Sequence, residues 1–84
     1  MEHIIFKPKN VCSTQIDFDI ENNRIYNVSF QRGCNGNLKA IGRLVEGRDA
    51  REVADLLRGN DCNQRGTSCA DQFAKAIDAY YDGL

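Results

Sequence analysis

The segment QIDFDIENNRIYNVSFQ, residues 15–31, decides the predicted fold. In each half of the segment, apolar side chains alternate with polar ones, which is the two-residue period of a strand buried on one face. The alternating apolar residues are Ile16, Phe18 and Ile20 in the first half and Tyr26, Val28 and Phe30 in the second. Between the halves, Asn22 and Asn23 favour a tight turn, because asparagine tolerates positive φ angles. The segment therefore predicts an antiparallel β-hairpin with one polar face.

The flanking sequence predicts one more strand and three helices. Residues 3–6 (HIIF) form a short first strand that ends before Pro8, since proline has no N–H to donate within a sheet. After the hairpin, apolar residues recur every three or four positions, which is the helical period. These apolar stripes are Leu38, Ile41, Gly42 and Val45, then Val53, Leu56 and Leu57, and finally Phe73, Ile77, Tyr80 and Leu84.

Capping residues mark the ends of the predicted helices. Gly47 ends the first helix, and Asp49 with Glu52 resembles the capping box that opens a second. Thr67 or Ser68 caps the third helix. The predicted fold class is α+β, a three-stranded antiparallel sheet followed by three helices packed on one face.

Length and charge restrict the possible functions. The chain has 84 residues and a mass of 9.5 kDa, which predicts a single domain over residues 1–84. Its net charge of -1 excludes a strongly basic nucleic-acid binder, and no apolar run approaches the roughly 20 residues of a membrane-spanning helix. Residues 1–10 lack the apolar core of a signal peptide. We therefore expect a cytoplasmic protein with neither nucleic acid nor a membrane as a partner.

Four cysteines lie at the ends of predicted elements rather than on their apolar stripes, namely Cys12, Cys34, Cys62 and Cys69. Structural disulfides are not expected in the reducing cytosol. Cys34 and Cys69 begin helices, where free N–H groups and the helix dipole favour the thiolate that binds metals and attacks electrophiles. Cys12, before the second strand, and Cys62, in a polar loop, complete the candidate site.

Spacing leaves the chemistry of this site open. The six residues between Cys62 and Cys69 exceed the two to four of common zinc fingers. The cysteines could form a shared metal or cluster site, a redox dithiol without metal, or a set of inert thiols. Zinc and iron cannot be distinguished, because four sulfur ligands suit both.

Other polar residues are expected to be solvent-facing. His3, the single histidine, is interpreted as a surface or edge residue. Asp17, Asp19 and Glu21 occupy alternate positions of a predicted strand, and we interpret them as a solvated strand face rather than as paired catalytic carboxylates.

Three sequence motifs resemble the TSCPD-domain family. They are VCS at 11–13, GCNGNL at 33–38 and TSCADQ at 67–72, with Ala70 where the family name implies proline. The likeness covers nearly the whole chain and implies a small stand-alone protein with four cysteines. Related domains occur at the C-terminus of cobalamin-dependent ribonucleotide reductases. The resemblance therefore implies an accessory role, with such a reductase or another larger protein as partner and no ribonucleotide reduction by the chain alone.

The order of elements is also similar to that of U-type iron–sulfur cluster scaffolds. In that layout, cysteines occupy the places of Cys12, Cys34 and Cys69, and Cys62 would be an added ligand. This likeness favours a metal site for Zn²⁺ or an Fe–S cluster at the four cysteines. The alternatives are a thiol redox partner that cycles one cysteine pair, an iron–sulfur scaffold-like protein, and a regulatory interaction domain whose cysteines only stabilise it.

Overall fold

A computed structural model of the chain describes residues 2–9, 11, 13–32, 35–60 and 67–83, without the side chains of residues 35 and 37. The strands are β1 (Glu2–Phe6), β2 (Gln15–Glu21) and β3 (Arg24–Gln31), and the helices are α1 (Asn35–Val45), α2 (Ala50–Leu57) and α3 (Cys69–Asp82). The predicted α+β arrangement, three antiparallel strands followed by three helices, is confirmed. In the described part of the chain, no helix has the length and apolarity needed to span a membrane.

The three strands form one antiparallel sheet in the order β1-β2-β3. Asn22 and Asn23 connect β2 and β3 with φ angles of 51° and 65°. A two-residue hairpin turn that matches the right-handed twist of the strands requires positive φ angles at both of its central residues. The hairpin predicted from these two asparagines is therefore confirmed.

A β-bulge interrupts the pairing of β2 with β3. The register shifts by one residue between the pairs Asp17–Ser29 and Asp19–Tyr26. Asn27 lies in the shifted stretch with a φ of 55°, a conformation that asparagine adopts more readily than most residues. The extra residue reverses the alternation of inward and outward side chains along β3.

This bulge corrects one part of the sequence prediction. Ile25 is fully buried in the core, whereas Tyr26 pairs with Asp19 on the polar face of the sheet. Val28 and Phe30 pack against the core as predicted. The prediction that Tyr26 shares their face is wrong. It assumed an uninterrupted two-residue alternation, and the residue inserted at the bulge breaks that alternation.

The core lies between the sheet and the helices. Its largest fully buried side chains are Phe18, Phe73, Ile16, Ile25, Ile77 and Val53. The ring of Phe73, from α3, packs edge-on against Phe18 with centroids 5.2 Å apart and against Phe30 with centroids 5.9 Å apart. Such edge-to-face pairs are favourable, and here they fix α3 over the middle of the sheet.

Both predicted caps are present. Asp49 caps α2 by accepting a hydrogen bond of 3.0 Å from the backbone N–H of Glu52. Ser68 caps α3 in the same way, which resolves the choice between Thr67 and Ser68. Gly47 follows α1 with a φ of 76°, a left-handed conformation that favours glycine after a helix.

The predicted apolar stripes are mostly, but not entirely, on the core side. Leu38, Val45, Val53 and Ile77 are buried. Leu56 is 67% exposed, so its assignment to the buried face of α2 is wrong. The helix is short, with eight residues, and its buried contacts come from Ala50, Val53 and Ala54. Leu84, the last member of the predicted α3 stripe, lies outside the described residues.

Candidate cysteine site at the first turn of α3

Cys69 is the first residue of α3 and is a partly exposed free thiol. It follows the cap residue Ser68, so its sulfur lies at the helix end where N–H groups lack intrahelical acceptors. The other cysteines of the predicted site, Cys12, Cys34 and Cys62, lie outside the described residues. Residues one to five positions from these cysteines, namely Ser13, Arg32, Asn60 and Thr67, are described.

Ser13, which follows Cys12, contacts the sulfur of Cys69. Its hydroxyl Oγ lies 3.0 Å from the Cys69 Sγ and donates to the backbone carbonyl of Arg32 at 3.2 Å. Arg32 precedes Cys34 by two residues. Ser13, beside Cys12, therefore contacts both the sulfur of Cys69 and the backbone of the segment that precedes Cys34.

Residues 61–66 contain the fourth cysteine, and the residues on either side of this segment are bound to α3. Asn60 donates from its side-chain amide to the hydroxyl of Ser68 at 3.1 Å. Thr67 donates from its hydroxyl to the carboxylate of Asp71 at 2.6 Å. Both borders of the segment are thus attached to the first turn of α3, where Cys69 lies.

Asp71 is a buried carboxylate, 3% exposed, that organises this turn. It accepts hydrogen bonds from the Thr67 hydroxyl and from the Gly59 backbone N–H at 2.7 Å, and the Lys75 ammonium lies 3.5 Å away. Burial by itself raises the pKa of Asp71, but the two hydrogen bonds and the charge of Lys75 outweigh it and hold the pKa below its usual value. The carboxylate therefore remains ionised and keeps its hydrogen bonds at neutral pH.

Gln72 is the second buried polar side chain of the turn. Its amide nitrogen donates to the Thr67 hydroxyl at 3.0 Å, and its amide oxygen accepts from the backbone N–H of Lys9 at 3.1 Å. Lys9 lies three residues before Cys12, so Gln72 fixes the segment that leads to that cysteine. Among the described residues, every buried side-chain nitrogen or oxygen has a hydrogen-bond partner.

The sequence motif TSCADQ contains Asp71 and Gln72, but neither residue is assigned a role from the sequence. Both lie one or two residues before the buried Phe73, at helix positions where a polar residue needs a buried partner. The signal available in the sequence was this pair of adjacent polar residues, which stands directly before the apolar Phe73 at a predicted helix start.

The polar face of the sheet carries a separate ion-pair cluster. The Nδ1 atom of His3 lies 2.7 Å from an Asp19 carboxylate oxygen, and its Nε2 atom lies 3.4 Å from Asp17. The hydrogen bond to Asp19, with the charges of both carboxylates, raises the pKa of His3. His3 is 54% exposed on strand β1, so its prediction as a surface residue is confirmed.

The acidic residues of this face do not form a metal site with His3. In the ranges that the structure describes, no three histidine, cysteine or acidic side chains are arranged to hold a metal ion. Asp17 and Asp19 are each about one-fifth exposed, and they bind His3, Gln15 and Asn27. They form a hydrogen-bonded surface of the sheet that is less exposed than the solvated face predicted from their spacing.

A comparison with protein families gives a match that covers nearly the whole chain. No curated protein and no solved structure matches it significantly. The family model of the TSCPD domain matches residues 2–81, which include all three strands and nearly all of α3. This match includes the TSCADQ motif, whose buried polar residues form the turn described above. The chain therefore belongs to the TSCPD-domain family.

Proposed function

We propose that this protein is a metal-binding module in which four thiolates hold one Zn²⁺ ion or one Fe–S cluster. The proposed ligands are Cys12, Cys34, Cys62 and Cys69. One observation carries the proposal: described residues one to five positions from Cys12, Cys34 and Cys62 are hydrogen-bonded to one another or to the first turn of α3, where Cys69 lies.

The length of one or two residues limits how far each cysteine can lie from its described neighbour. Consecutive Cα atoms are about 3.8 Å apart, so one residue spans about 4 Å and two span at most about 8 Å. Cys12 is one residue from Ser13, and Cys34 is two from Arg32. Ser13 contacts the Cys69 sulfur and also donates to the Arg32 carbonyl, which supports a common site for three of the thiols.

The fourth ligand is supported by the borders of its segment. Cys62 lies two residues after Asn60 and five before Thr67. Asn60 and Thr67 are both hydrogen-bonded to the first turn of α3, Asn60 through the cap residue Ser68. Both described residues that border the segment with Cys62 therefore lie at the helix end that carries Cys69, which supports Cys62 as the fourth ligand.

The donor set fits the proposed metals. Four cysteine sulfurs are the ligands of structural zinc sites, with Zn–S distances of about 2.3 Å, and of Fe–S clusters. A bound zinc ion would stabilise a fold of this size, whereas a bound cluster would supply electron transfer. The hydrogen-bonded network of Asp71 and Gln72 would hold the ligand segments in place around either group.

We further propose that the module acts on a larger protein. The chain belongs to the TSCPD-domain family and resembles the C-terminal domains of cobalamin-dependent ribonucleotide reductases. Both points support such a reductase as the class of partner. The chain would then serve as a docking, regulatory or electron-transfer accessory rather than as an enzyme. The test of this part is co-purification or a binding titration with a purified cobalamin-dependent reductase.

The metal proposal is tested by purifying the chain without oxygen and measuring bound zinc and iron per chain. We expect one zinc ion, or iron with equal sulfide and visible absorption from a cluster. Cys69→Ser should lose this metal, while Ser29→Ala, on the exposed outer face of β3, should keep it. Folded wild-type protein without metal, which forms a reversible disulfide, would contradict the proposal and favour the thiol redox function.

A further inference from the structure

We propose that Ser13 is a positioning residue of the cysteine site, which donates its hydroxyl hydrogen bond to the sulfur of Cys69 when that sulfur binds a metal. This inference rests on the proposed function. Ser13 is placed by its geometry: its Oγ lies 3.0 Å from the Cys69 sulfur and 3.2 Å from the Arg32 carbonyl oxygen.

Burial isolates the Ser13 hydroxyl from solvent, and these two contacts are its hydrogen bonds among the described residues. Ser13 is 2% exposed, so water does not compete for its hydrogen bonds. A serine hydroxyl has one proton to donate and two lone pairs that accept. It can therefore donate to the Arg32 carbonyl or to the Cys69 sulfur, but not fully to both at once.

The direction of the bond to sulfur depends on whether Cys69 is a ligand. While Cys69 is a free thiol, either atom can donate in its contact with Ser13, and the S–H is the donor whenever Ser13 donates to the Arg32 carbonyl. On coordination the S–H bond is broken, the sulfur–metal bond forms, and the proton passes to solvent. The sulfur is then an acceptor only, so the Ser13 hydroxyl rotates to donate to it and releases the Arg32 carbonyl.

This rotation connects three ligand segments through one side chain. Ser13 is adjacent to Cys12, and the Arg32 carbonyl belongs to the segment that leads into Cys34. Hydrogen bonds to ligating atoms orient the ligands and change the electron density on the sulfur. Ser13 is thus expected to affect metal affinity and the electronic spectrum of the site, beyond any effect on folding.

A neighbouring hydroxyl supplies the matched control. Thr14 also bonds the end of β3, with its backbone N–H 2.8 Å and its hydroxyl 3.4 Å from the Gln31 carbonyl oxygen. These hydrogen bonds join the strands and do not involve the sulfur. Thr14→Ala and Ser13→Ala therefore each remove one hydroxyl, but only the second removes a donor to Cys69.

The experiment uses the full chain loaded with Zn²⁺ for affinity and with Co²⁺ for spectroscopy. We expect Ser13→Ala to weaken zinc binding in chelator competition by about 10- to 100-fold. Its sulfur-to-cobalt charge-transfer band should move to longer wavelength, because a sulfur without the hydrogen bond gives up an electron more easily. Thr14→Ala should leave affinity and band unchanged, and Ser13→Thr, which keeps the hydroxyl, should restore the wild-type band.

The outcomes separate this inference from the proposed function. Wild-type protein that binds neither metal would refute the function itself. If the wild type binds metal and Ser13→Ala has the same zinc affinity and the same cobalt band as the wild type, only the role of Ser13 is overturned. If Ser13→Ala does not fold, the wild type loaded with an NMR-active cadmium isotope decides: scalar coupling between cadmium and the Ser13 hydroxyl proton supports the donated bond, and its absence overturns it.

Discussion

The backbone N–H of Gly59 donates a hydrogen bond of 2.7 Å to the buried carboxylate of Asp71. This bond joins the end of α2 to the first turn of α3, across the segment that contains Cys62. The same carboxylate accepts from Thr67, on the other side of that segment. Asp71 therefore holds described residues on both sides of the segment with one proposed ligand at the helix that carries another.

Replacement of Asp71 by asparagine should destabilise the fold. In Asp71→Asn the amide presents one acceptor where Gly59 and Thr67 both donate, so one buried donor loses its partner. We expect a loss of about 1–3 kcal/mol in the free energy of unfolding, measured by urea denaturation at neutral pH. Asp78→Asn is the control, because Asp78 pairs with Arg58 at the surface and should cost at most about 1 kcal/mol.

The effect of Asp71 should depend on pH in one direction. Its pKa in the folded protein lies below the ordinary value of 3.8, so the ionised carboxylate stabilises the fold fully above that pH. This stabilisation is lost as pH falls through the folded-state pKa. The stability difference between wild type and Asp71→Asn should therefore narrow in acid, and a difference that widens there would contradict the assignment.

The imidazole of His3 should titrate above its ordinary pKa of 6.5. Its hydrogen bond to Asp19 and the nearby Asp17 favour the protonated ring, so their contribution to stability is complete below that pH and disappears as pH rises through the folded-state pKa. An NMR titration measures this directly, since the chain has a single histidine. Asp19→Asn should lower the pKa, and Asp55→Asn, on α2, should leave it unchanged.

The cysteine variants should differ in how much metal they retain. We predict that Cys34→Ser and Cys69→Ser abolish retention, because these residues lie at predicted helix starts. Cys62→Ser should weaken retention less, because its loop is polar and lies between helices. Elemental analysis after gel filtration gives the metal content per chain, and an equal loss from all three substitutions would refute this order.

Ala70 is the second residue of α3 and occupies the position at which the family name implies proline. Its N–H belongs to the first helical turn, where backbone donors have no intrahelical acceptor, so proline removes no helical hydrogen bond there. We expect Ala70→Pro to raise the free energy of unfolding by about 0.4–1 kcal/mol by restricting the unfolded chain. Urea denaturation with unchanged metal content checks this; destabilisation would show that the turn cannot accept the ring.

The sequence by itself determined the elements that depend on residues a few positions apart. The paired asparagines Asn22 and Asn23 predicted the hairpin because their φ preferences act locally. Asp49 and Ser68 predicted helix starts because a cap bonds an N–H only three residues ahead. Apolar periodicity predicted the strand and helix order for the same reason, since each period describes one element.

Tertiary structure alone decided the features that need two distant segments. The bulge at Asn27 moved Ile25 into the core, because strand register depends on the partner strand as well as on alternation. The exposure of Leu56 depends on where α2 packs, which its own stripe does not specify.

The candidate site shows the same division. The sequence marked Cys69 as a ligand candidate from its place at a helix start. The contact of its sulfur with Ser13 joins residues 56 positions apart, and no local preference encodes such a pairing. It arises because the sheet and α3 share one hydrophobic core, and burying that core brings the start of β2 and the end of β3 against the first turn of α3.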